Sequence, residues 1–227
     1  MTSDAQSAGG GGSSRLSPYT ITALTARLVF GTAFRLEVVS PERIPAQGPL
    51  VIVANHESYL DGPLLMSVFS RRHLTFFSAA YLFEQPATGW ALRRLGALPV
   101  NAQGSNLDSL KKAIAILKGG GTMAIFPGGG IARDEVLGGA AYVALKANAP
   151  VLPLQIEGTN EALPPGEKLP HFAPITVRVG TLVPASEMAN GCADTRNAVA
   201  EGTRMLARVL AGTRPAWRDI CRRTVDG

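Results

Sequence analysis

A histidine and an aspartate five residues apart are the residues of this sequence best suited to chemistry. His56 follows an apolar run at 50–54 with one residue, Asn55, between them, and Asp61 begins the sequence Asp-Gly-Pro. The run indicates a buried strand, and the proline is typical of the first turn of a helix. On one continuous helix the two side chains would lie about 140° apart, at ~100° per residue. A connection that folds back can bring them together as a general base with a fixed tautomer.

The pattern around this pair predicts strands that alternate with helices. Short apolar runs indicate strands at residues 36–39, 50–54, 74–78, 97–100, 122–126, 151–157 and 175–179. Helical patterns occupy residues 63–70, 81–95, 107–117, 136–147 and 195–210. The alternation predicts an α/β fold with a mainly parallel central sheet flanked by helices. In such sheets ligands collect at the carboxyl ends of strands, where both His56 and the glycine-rich sequence at 126–130 lie.

The composition predicts one domain. The 227 residues are 46% hydrophobic and 17% charged, which suits a single large core. Residues 1–14 have the low complexity of a disordered tail. The remaining residues, 15–227, are expected to form a single domain with an amphipathic helix at 15–35, a motif-bearing core at 36–185 and a C-terminal helix and tail at 190–227.

The predicted N-terminal helix has an apolar stripe. Ile21, Leu24 and Leu28 share one helical face. Such a stripe fits a helix that packs on the domain or one that lies on a membrane, and we expect packing. Arg27, Arg35 and Glu37 interrupt the surrounding apolar sequence, and no run of 18 uncharged apolar residues occurs, so we expect no membrane span.

The net charge limits the kinds of partner that the protein could bind, and the cysteine content limits its compartment and its metal or disulfide sites. The net charge of +5 is dispersed, without a run of five like charges, which argues against a nucleic-acid-binding tail. A basic surface suits anionic lipid headgroups, a nucleotide-bearing donor or an acidic carrier protein. Two isolated cysteines, Cys192 and Cys221, argue against a disulfide framework or a zinc site and favour a reducing, cytoplasmic compartment.

Four ordered blocks of sequence resemble the glycerolipid and lysophospholipid acyltransferase family, whose members carry a His-x4-Asp motif. Asn-His-Glu-Ser-Tyr-Leu-Asp at 55–61 is similar to the family's Asn-His-x-Ser-x-x-Asp. The other blocks are Gly-Ala-Leu-Pro-Val-Asn-Ala at 96–102, Phe-Pro-Gly-Gly-Gly-Ile-Ala at 126–132 and Ala-Pro-Val-Leu-Pro-Leu at 149–154. The resemblance extends from about residue 35 to about residue 185.

The resemblance implies transfer of a fatty acyl group from a thioester, acyl-CoA or acyl-carrier protein, to the hydroxyl of a lysophospholipid or glycerolipid in phospholipid biosynthesis. His56 and Asp61 would be catalytic, without a covalent intermediate, a metal or a cofactor other than the donor. The substrate-binding residues would be Asn55, Ser58, Phe126, Pro127, Gly128, Gly129, Gly130 and Arg133. The protein would be cytoplasmic and peripheral on the inner face of the membrane.

Three departures from the family pattern affect the acceptor. Ala102 and Ile131 stand where the family has arginine, and Gly128 stands where it has glutamate. Arginine binds phosphate with two parallel charged hydrogen bonds, so a phosphorylated acceptor would lose its usual partners here. Arg133 is either a substitute or a surface residue. The alternatives are a non-phosphorylated acceptor with the same chemistry, a thioesterase, and a non-catalytic acyl- or lipid-binding module.

Two further points complete the predicted site. The oxyanion of the reaction would bind to backbone N–H groups near Gly128–Gly130 or to the side chains of Asn55 and Ser58.

The two other histidines, His73 and His171, have no carboxylate at an informative spacing and are predicted to be surface or structural residues.

Overall fold

The computed structural model describes residues 17–101, 106–128, 138–192 and 194–211. The helices are α1 (Pro18–Ala33), α2 (Asp61–Val68), α3 (Pro86–Arg94), α4 (Leu107–Lys118), α5 (Gly139–Ala147), α6 (Thr159–Ala162), α7 (Ala185–Ala189) and α8 (Thr195–Ala211). The strands are β1 (Glu37–Val39), β2 (Leu50–Ala54), β3 (Leu74–Ala79), β4 (Leu98–Val100), β5 (Thr122–Ile125), β6 (Val151–Glu157) and β7 (Thr176–Val179). Two 3₁₀ turns occupy Pro41–Arg43 and Ala80–Phe83.

The strands form one sheet in the order β1-β7-β6-β2-β5-β3-β4. Among the described strands, the β6–β7 pair is antiparallel and the other neighbouring strands run parallel. The predicted α/β fold with a mainly parallel sheet is therefore confirmed. The central strand β2 is buried along its whole length because helices cover both faces of the sheet, as is usual for parallel strands.

Some predicted boundaries differ from the structure. The helix expected at 63–70 begins at Asp61 and ends at Val68, so the aspartate lies inside the helix. The pattern at 81–95 divides into a 3₁₀ turn and α3, which starts at Pro86, a residue whose missing N–H costs nothing in a first turn. The predicted tail at 1–14 lies outside the described residues.

Two apolar layers hold the helices against the sheet. On one face, Ile52 of β2 packs in a cluster with residues of α1 and α2. On the other, Val51 and Val53 pack in a cluster with residues of α4, α5 and α8. Successive side chains of β2 thus point to opposite layers, which follows from the two-residue period of a strand. Both clusters fix β2, the strand that leads into the candidate site.

The orientation of α1 differs from the expectation. Its buried positions are Tyr19, Ala23, Ala26 and Phe30. The stripe of Ile21, Leu24 and Leu28 is roughly half exposed or more. The helix packs on the domain as expected, but through another face, so the prediction that the stripe is buried is wrong. The two alanines let α1 approach α2 closely, and the two aromatic rings fill the space on either side. Within the described residues, none of the helices is long and apolar enough to cross a bilayer.

Candidate active site

The carboxyl end of β2 is fastened to β6 by an asparagine. The Asn55 amide nitrogen donates to the backbone carbonyl of Ile156 at 2.8 Å, and its amide oxygen accepts from the Ile156 N–H at 2.7 Å. Since β2 and β6 are neighbouring parallel strands, these two hydrogen bonds continue the backbone hydrogen bonding between the strands through the Asn55 side chain. The chain therefore leaves the sheet from a fixed point, one residue before His56.

The turn after β2 brings His56 and Asp61 together, as the spacing predicted. The His56 Nδ1 atom lies 2.7 Å from Asp61 Oδ2. The same oxygen accepts the backbone N–H groups of Glu57 at 2.8 Å and Ser58 at 3.0 Å. Asp61 is the first residue of α2, where the helix dipole favours negative charge. With its proton on Nδ1, His56 is the third donor to this oxygen, and Nε2 has no hydrogen-bond partner among the described residues.

The side chains of His56 and Asp61 differ in how deeply they are buried. Asp61 is fully buried, whereas the His56 side chain is 21% exposed. Its imidazole stacks on the ring of Phe126, with centroids 4.2 Å apart and planes inclined by 17°. Phe126 directly follows β5, the neighbour of β2 on the side away from β6. The imidazole is therefore held between a buried carboxylate and an aromatic ring, and part of it remains exposed.

Ser58 lies in the turn between His56 and Asp61 and forms hydrogen bonds within the protein. Its side chain is buried and donates to the backbone carbonyl of Leu163 at 2.8 Å, and it accepts from the N–H of Leu60 at 3.3 Å. These bonds join the His56–Asp61 turn to the segment that follows α6. The Ser58 hydroxyl proton is therefore already used, and the substrate-binding role predicted for this residue stays a prediction.

The glycine-rich segment is described only in part. Pro127 is buried and Gly128 is half-buried, directly after Phe126. Gly129, Gly130 and Arg133 lie outside the described residues, as do positions 102 and 131 of the departures noted above. Among the described residues, no group of three or more His, Cys, Asp or Glu side chains could hold a metal ion.

Glu57 is a site residue that the sequence analysis missed. Burial is the main cause that raises the pKa of its carboxyl, and the charges of Asp61, Glu161 and Glu157 raise it further. A hydrogen bond of 2.9 Å from the Asn55 amide to Glu57 Oε1 acts in the opposite direction. Three further carboxyl groups thus act on Glu57, the residue that follows His56 in the chain. The signal in the sequence, one glutamate shortly after β2 and another at the end of β6, is informative only once β2 and β6 are known to be neighbours.

The other two histidines lie outside this site. His171 Nε2 is 2.6 Å from Glu167 Oε2, a carboxylate four residues earlier that the sequence analysis overlooked, and both side chains are exposed. The ring of His73 lies 4.0 Å from that of Tyr19, and burial lowers the pKa of this histidine. Their positions agree with the surface and structural roles predicted for them.

Comparisons with known proteins agree with the four sequence blocks. A family model described as Acyltransferase matches residues 35–157, just over half of the chain. A chloroplastic 1-acyl-sn-glycerol-3-phosphate acyltransferase, BAT2 of Brassica napus, is 28% identical over 195 residues, which cover 82% of this chain and 56% of that protein. A 1-acyl-sn-glycerol-3-phosphate acyltransferase of Bacillus subtilis is 25% identical over 144 residues, 63% of this chain and 72% of its own length.

A solved structure supports the fold. The crystal structure of the 1-acyl-sn-glycerophosphate acyltransferase PlsC from Thermotoga maritima matches with a TM-score of 0.63 and 23% identity, over 88% of this chain and 80% of that one. The chain spans a little over half the length of the plant relatives that it matches. From the matched family model and the ordered motifs, the chain belongs to the acyltransferase family.

Proposed function

We propose that this protein is an O-acyltransferase that moves a fatty acyl group from a thioester to the hydroxyl of a lysophospholipid. The observation that carries the proposal is the hydrogen bond of 2.7 Å between His56 Nδ1 and a fully buried Asp61. It leaves the second ring nitrogen of a partly exposed imidazole free to act as a general base. Such catalysis contributes about 10²–10⁴-fold to a rate.

The proposed reaction is direct transfer. His56 Nε2 takes the proton of the acceptor hydroxyl as its oxygen attacks the thioester carbonyl carbon. Asp61 stabilises the imidazolium that forms. The new ester C–O bond replaces the C–S bond, and the proton passes from His56 to the departing thiolate, which leaves as a thiol. No cofactor other than the thioester donor, acyl-CoA or acyl-carrier protein, enters this scheme.

The hydrogen bonds already formed narrow the choice of oxyanion donor. The Asn55 amide nitrogen donates to Glu57 and Ile156, and the Ser58 hydroxyl donates to Leu163. Because both side chains use their donors within the protein, they are poor candidates to bind the oxyanion. We assign this role to backbone N–H groups of the glycine-rich segment that begins at Gly128, next to the ring that stacks on His56.

The relatives favour a phosphorylated acceptor. Two of them, from Brassica napus and Bacillus subtilis, are named as acyltransferases of 1-acyl-sn-glycerol-3-phosphate. We therefore propose an acceptor of this class, which places the protein in phospholipid synthesis. Since such acceptors reside in bilayers, the proposal includes peripheral association with the inner face of the membrane.

A non-phosphorylated acceptor is the second candidate. It is favoured by Ala102, Gly128 and Ile131 in place of the family's charged residues, and by the carboxylate of Glu57 beside His56. A negative group near the base opposes a dianionic headgroup.

Product analysis decides between these functions. The purified protein is supplied with palmitoyl-CoA or palmitoyl-carrier protein and with either 1-acylglycerol 3-phosphate or monoacylglycerol, and the ester products are measured by mass spectrometry. We expect transfer to the phosphorylated acceptor, and loss of transfer in His56→Ala. Thiol release without ester would indicate a thioesterase, and equal background rates for both proteins would contradict an enzymatic role.

A paired substitution tests the acceptor. The Ala102→Arg/Ile131→Arg variant restores both family arginines. Increased transfer to the phosphorylated acceptor, with unchanged transfer to monoacylglycerol, would support the second candidate. An unchanged ratio would favour the first.

A further inference from the structure

Two neighbouring arginines near the end of α3 have different surroundings. The Arg93 guanidinium donates from Nη2 to the backbone carbonyl of Phe83 at 2.8 Å and lies 5.9 Å from the centre of the Phe83 ring. The Arg94 guanidinium lies 5.1 Å from the centre of the Trp90 ring and forms no hydrogen bond or ion pair among the described residues. The N–H groups of Arg94 are therefore available to a ligand.

The contacts of Arg93 fix the orientation of α3. Gly89 lies one helical turn before Arg93 and is buried, and a side chain at this position would collide with the carbonyl of Phe83 in the preceding 3₁₀ turn. The Gly89–Arg93 side of α3 therefore packs on that turn. Trp90 and Arg94 are each one residue further along, about 100° around the helix, and both are exposed. Their position on the surface is thus set by the packing of the neighbouring face.

The 3₁₀ turn that holds α3 lies at the same edge of the sheet as the catalytic turn. It follows the carboxyl end of β3, and the His56–Asp61 turn follows that of β2. Both strands run parallel to β5, which lies between them, so their ends are about 10 Å apart. Phe126, which stacks on His56, follows β5. A long, flexible substrate bound on α3 can therefore reach His56 along this edge.

The chemistry of Trp90 and Arg94 suits a nucleotide. Residues 85–107 contain Arg93 and Arg94 and no acidic residue, and the preceding acid, Glu84, forms no ion pair with either arginine among the described residues. A guanidinium binds phosphate with charged hydrogen bonds, and an aromatic ring stacks on a nucleobase. Trp90 is 62% exposed, which leaves ring surface for such a base.

We propose that Trp90 and Arg94 bind the phosphorylated adenosine end of acyl-CoA, with the base stacked on the indole and a phosphate on the guanidinium. The pantetheine arm then extends along the edge of the sheet and brings the thioester to His56. This inference rests on the proposed function, because it specifies which thioester donor the protein uses. An acyl-carrier protein offers acidic side chains but no nucleobase, so the exposed indole beside an unpaired guanidinium favours CoA.

Calorimetric titration of the full chain with adenosine 3′,5′-bisphosphate, the nucleotide part of CoA, tests the site. We expect binding that weakens at high salt, since charged groups contribute to it. Trp90→Leu and Arg94→Gln should each bind at least about fivefold more weakly, because the first loses the stacking and the second the charged hydrogen bonds. Thermal unfolding of each variant verifies that it is folded.

Arg196→Gln is the matched control. Arg196 is also an exposed arginine, on α8, which packs against the face of the sheet opposite to α1 and α2. This variant should bind the bisphosphate within about twofold of the wild type, since surface substitutions elsewhere change little. Equal loss in the control, no binding by the wild type, or wild-type binding by folded Trp90→Leu and Arg94→Gln would overturn the proposal.

Transfer kinetics separate nucleotide binding from a general structural effect. With palmitoyl-CoA, Trp90→Leu and Arg94→Gln should raise KM at least about fivefold and leave kcat nearly unchanged, as expected when ground-state binding is lost. With palmitoyl-pantetheine, which has the same arm and no nucleotide, both variants should match the wild type. An equal effect on the two donors would contradict a nucleotide site.

The titration distinguishes failure of this inference from failure of the proposed function, because bisphosphate binding requires no turnover. A protein that binds the bisphosphate through Trp90 and Arg94 and transfers no acyl group would contradict the proposed function while the nucleotide site stands. Transfer from palmitoyl-carrier protein that both variants weaken, without bisphosphate binding by the wild type, would make this surface a carrier-protein site and overturn the proposal.

Discussion

The described part of the chain includes two histidine–carboxylate pairs of nearly equal length and very different surroundings. His56 and Asp61 lie 2.7 Å apart, and His171 and Glu167 lie 2.6 Å apart. The Asp61 side chain is fully buried and accepts two backbone N–H groups as well, whereas the Glu167 side chain is 47% exposed and its pair is an i,i+4 contact in a loop. An exposed pair of this kind contributes little, because water competes for both partners. A short distance alone therefore does not distinguish the proposed catalytic pair from the surface pair, whereas the burial of its carboxylate does.

Removal of each imidazole gives the largest expected contrast. His56→Ala should lower kcat/KM for acyl transfer about 10²–10⁴-fold, since it removes the proposed general base. His171→Ala, assayed with detergent-dispersed acceptor and no vesicles, should change kcat/KM by less than about twofold. Similar losses in both variants would show that burial does not distinguish the pairs.

Neutralising each carboxylate should give the next largest contrast. Asp61→Asn should lower kcat/KM about 10²-fold, because a neutral amide stabilises the developing imidazolium less and does not fix the same tautomer. Glu167→Gln should have almost no effect in the same assay. Wild-type activity in a correctly folded Asp61→Asn variant would remove the aspartate from the mechanism.

Two asparagines extend the comparison to stability. Asn55 bonds both backbone groups of the buried Ile156, and Asn106 makes the same reciprocal pair with the backbone of the exposed Asn101 at 2.8 and 2.9 Å. Asn55→Ala should lower the free energy of unfolding by about 2–3 kcal/mol, because two buried polar groups lose their partner. Asn106→Ala should cost less than about 1 kcal/mol, since water replaces the amide. Urea unfolding measures both, and equal costs would contradict the assigned burial.

The smallest expected effect concerns Glu57. The folded protein raises the pKa of the Glu57 carboxyl. At a pH above this raised pKa, ionisation of Glu57 therefore lowers the stability of the folded protein, and this loss of stability disappears as the pH falls below the raised pKa. Glu57→Gln should therefore be more stable than the wild type at pH 7. The difference in stability should shrink as the pH approaches the ordinary pKa of glutamate, about 4.3. Urea unfolding at both pH values measures this change. Glu167→Gln serves as the exposed control, and the opposite pH trend at Glu57 would contradict the assigned environment.

Short-range features of the fold were predictable from the sequence. The five buried residues of β2 and the alternation of strands and helices follow from apolar periodicity, and the His56–Asp61 pair follows from its position between a strand and Asp-Gly-Pro. The orientation of α1 was not predictable in this way, because its buried face consists of alanines and aromatic rings and its larger aliphatic side chains face outward. A stripe of apolar residues indicates an apolar contact without saying whether protein or another surface provides it.

The sequence by itself determined the candidate catalytic residues, their order and the alternation of strands with helices that indicates a parallel sheet, since each depends on patterns within short segments of the chain. Only the tertiary structure decided that β6 and β5 flank β2, so that Asn55 bonds to Ile156 while Phe126 stacks on His56. It also decided which of two similar histidine–carboxylate pairs is buried. The Asn55–Ile156 contact joins residues about a hundred positions apart, and the His56–Phe126 contact joins residues about seventy positions apart. Both contacts depend on how the crossover helices pack on the two faces of the sheet.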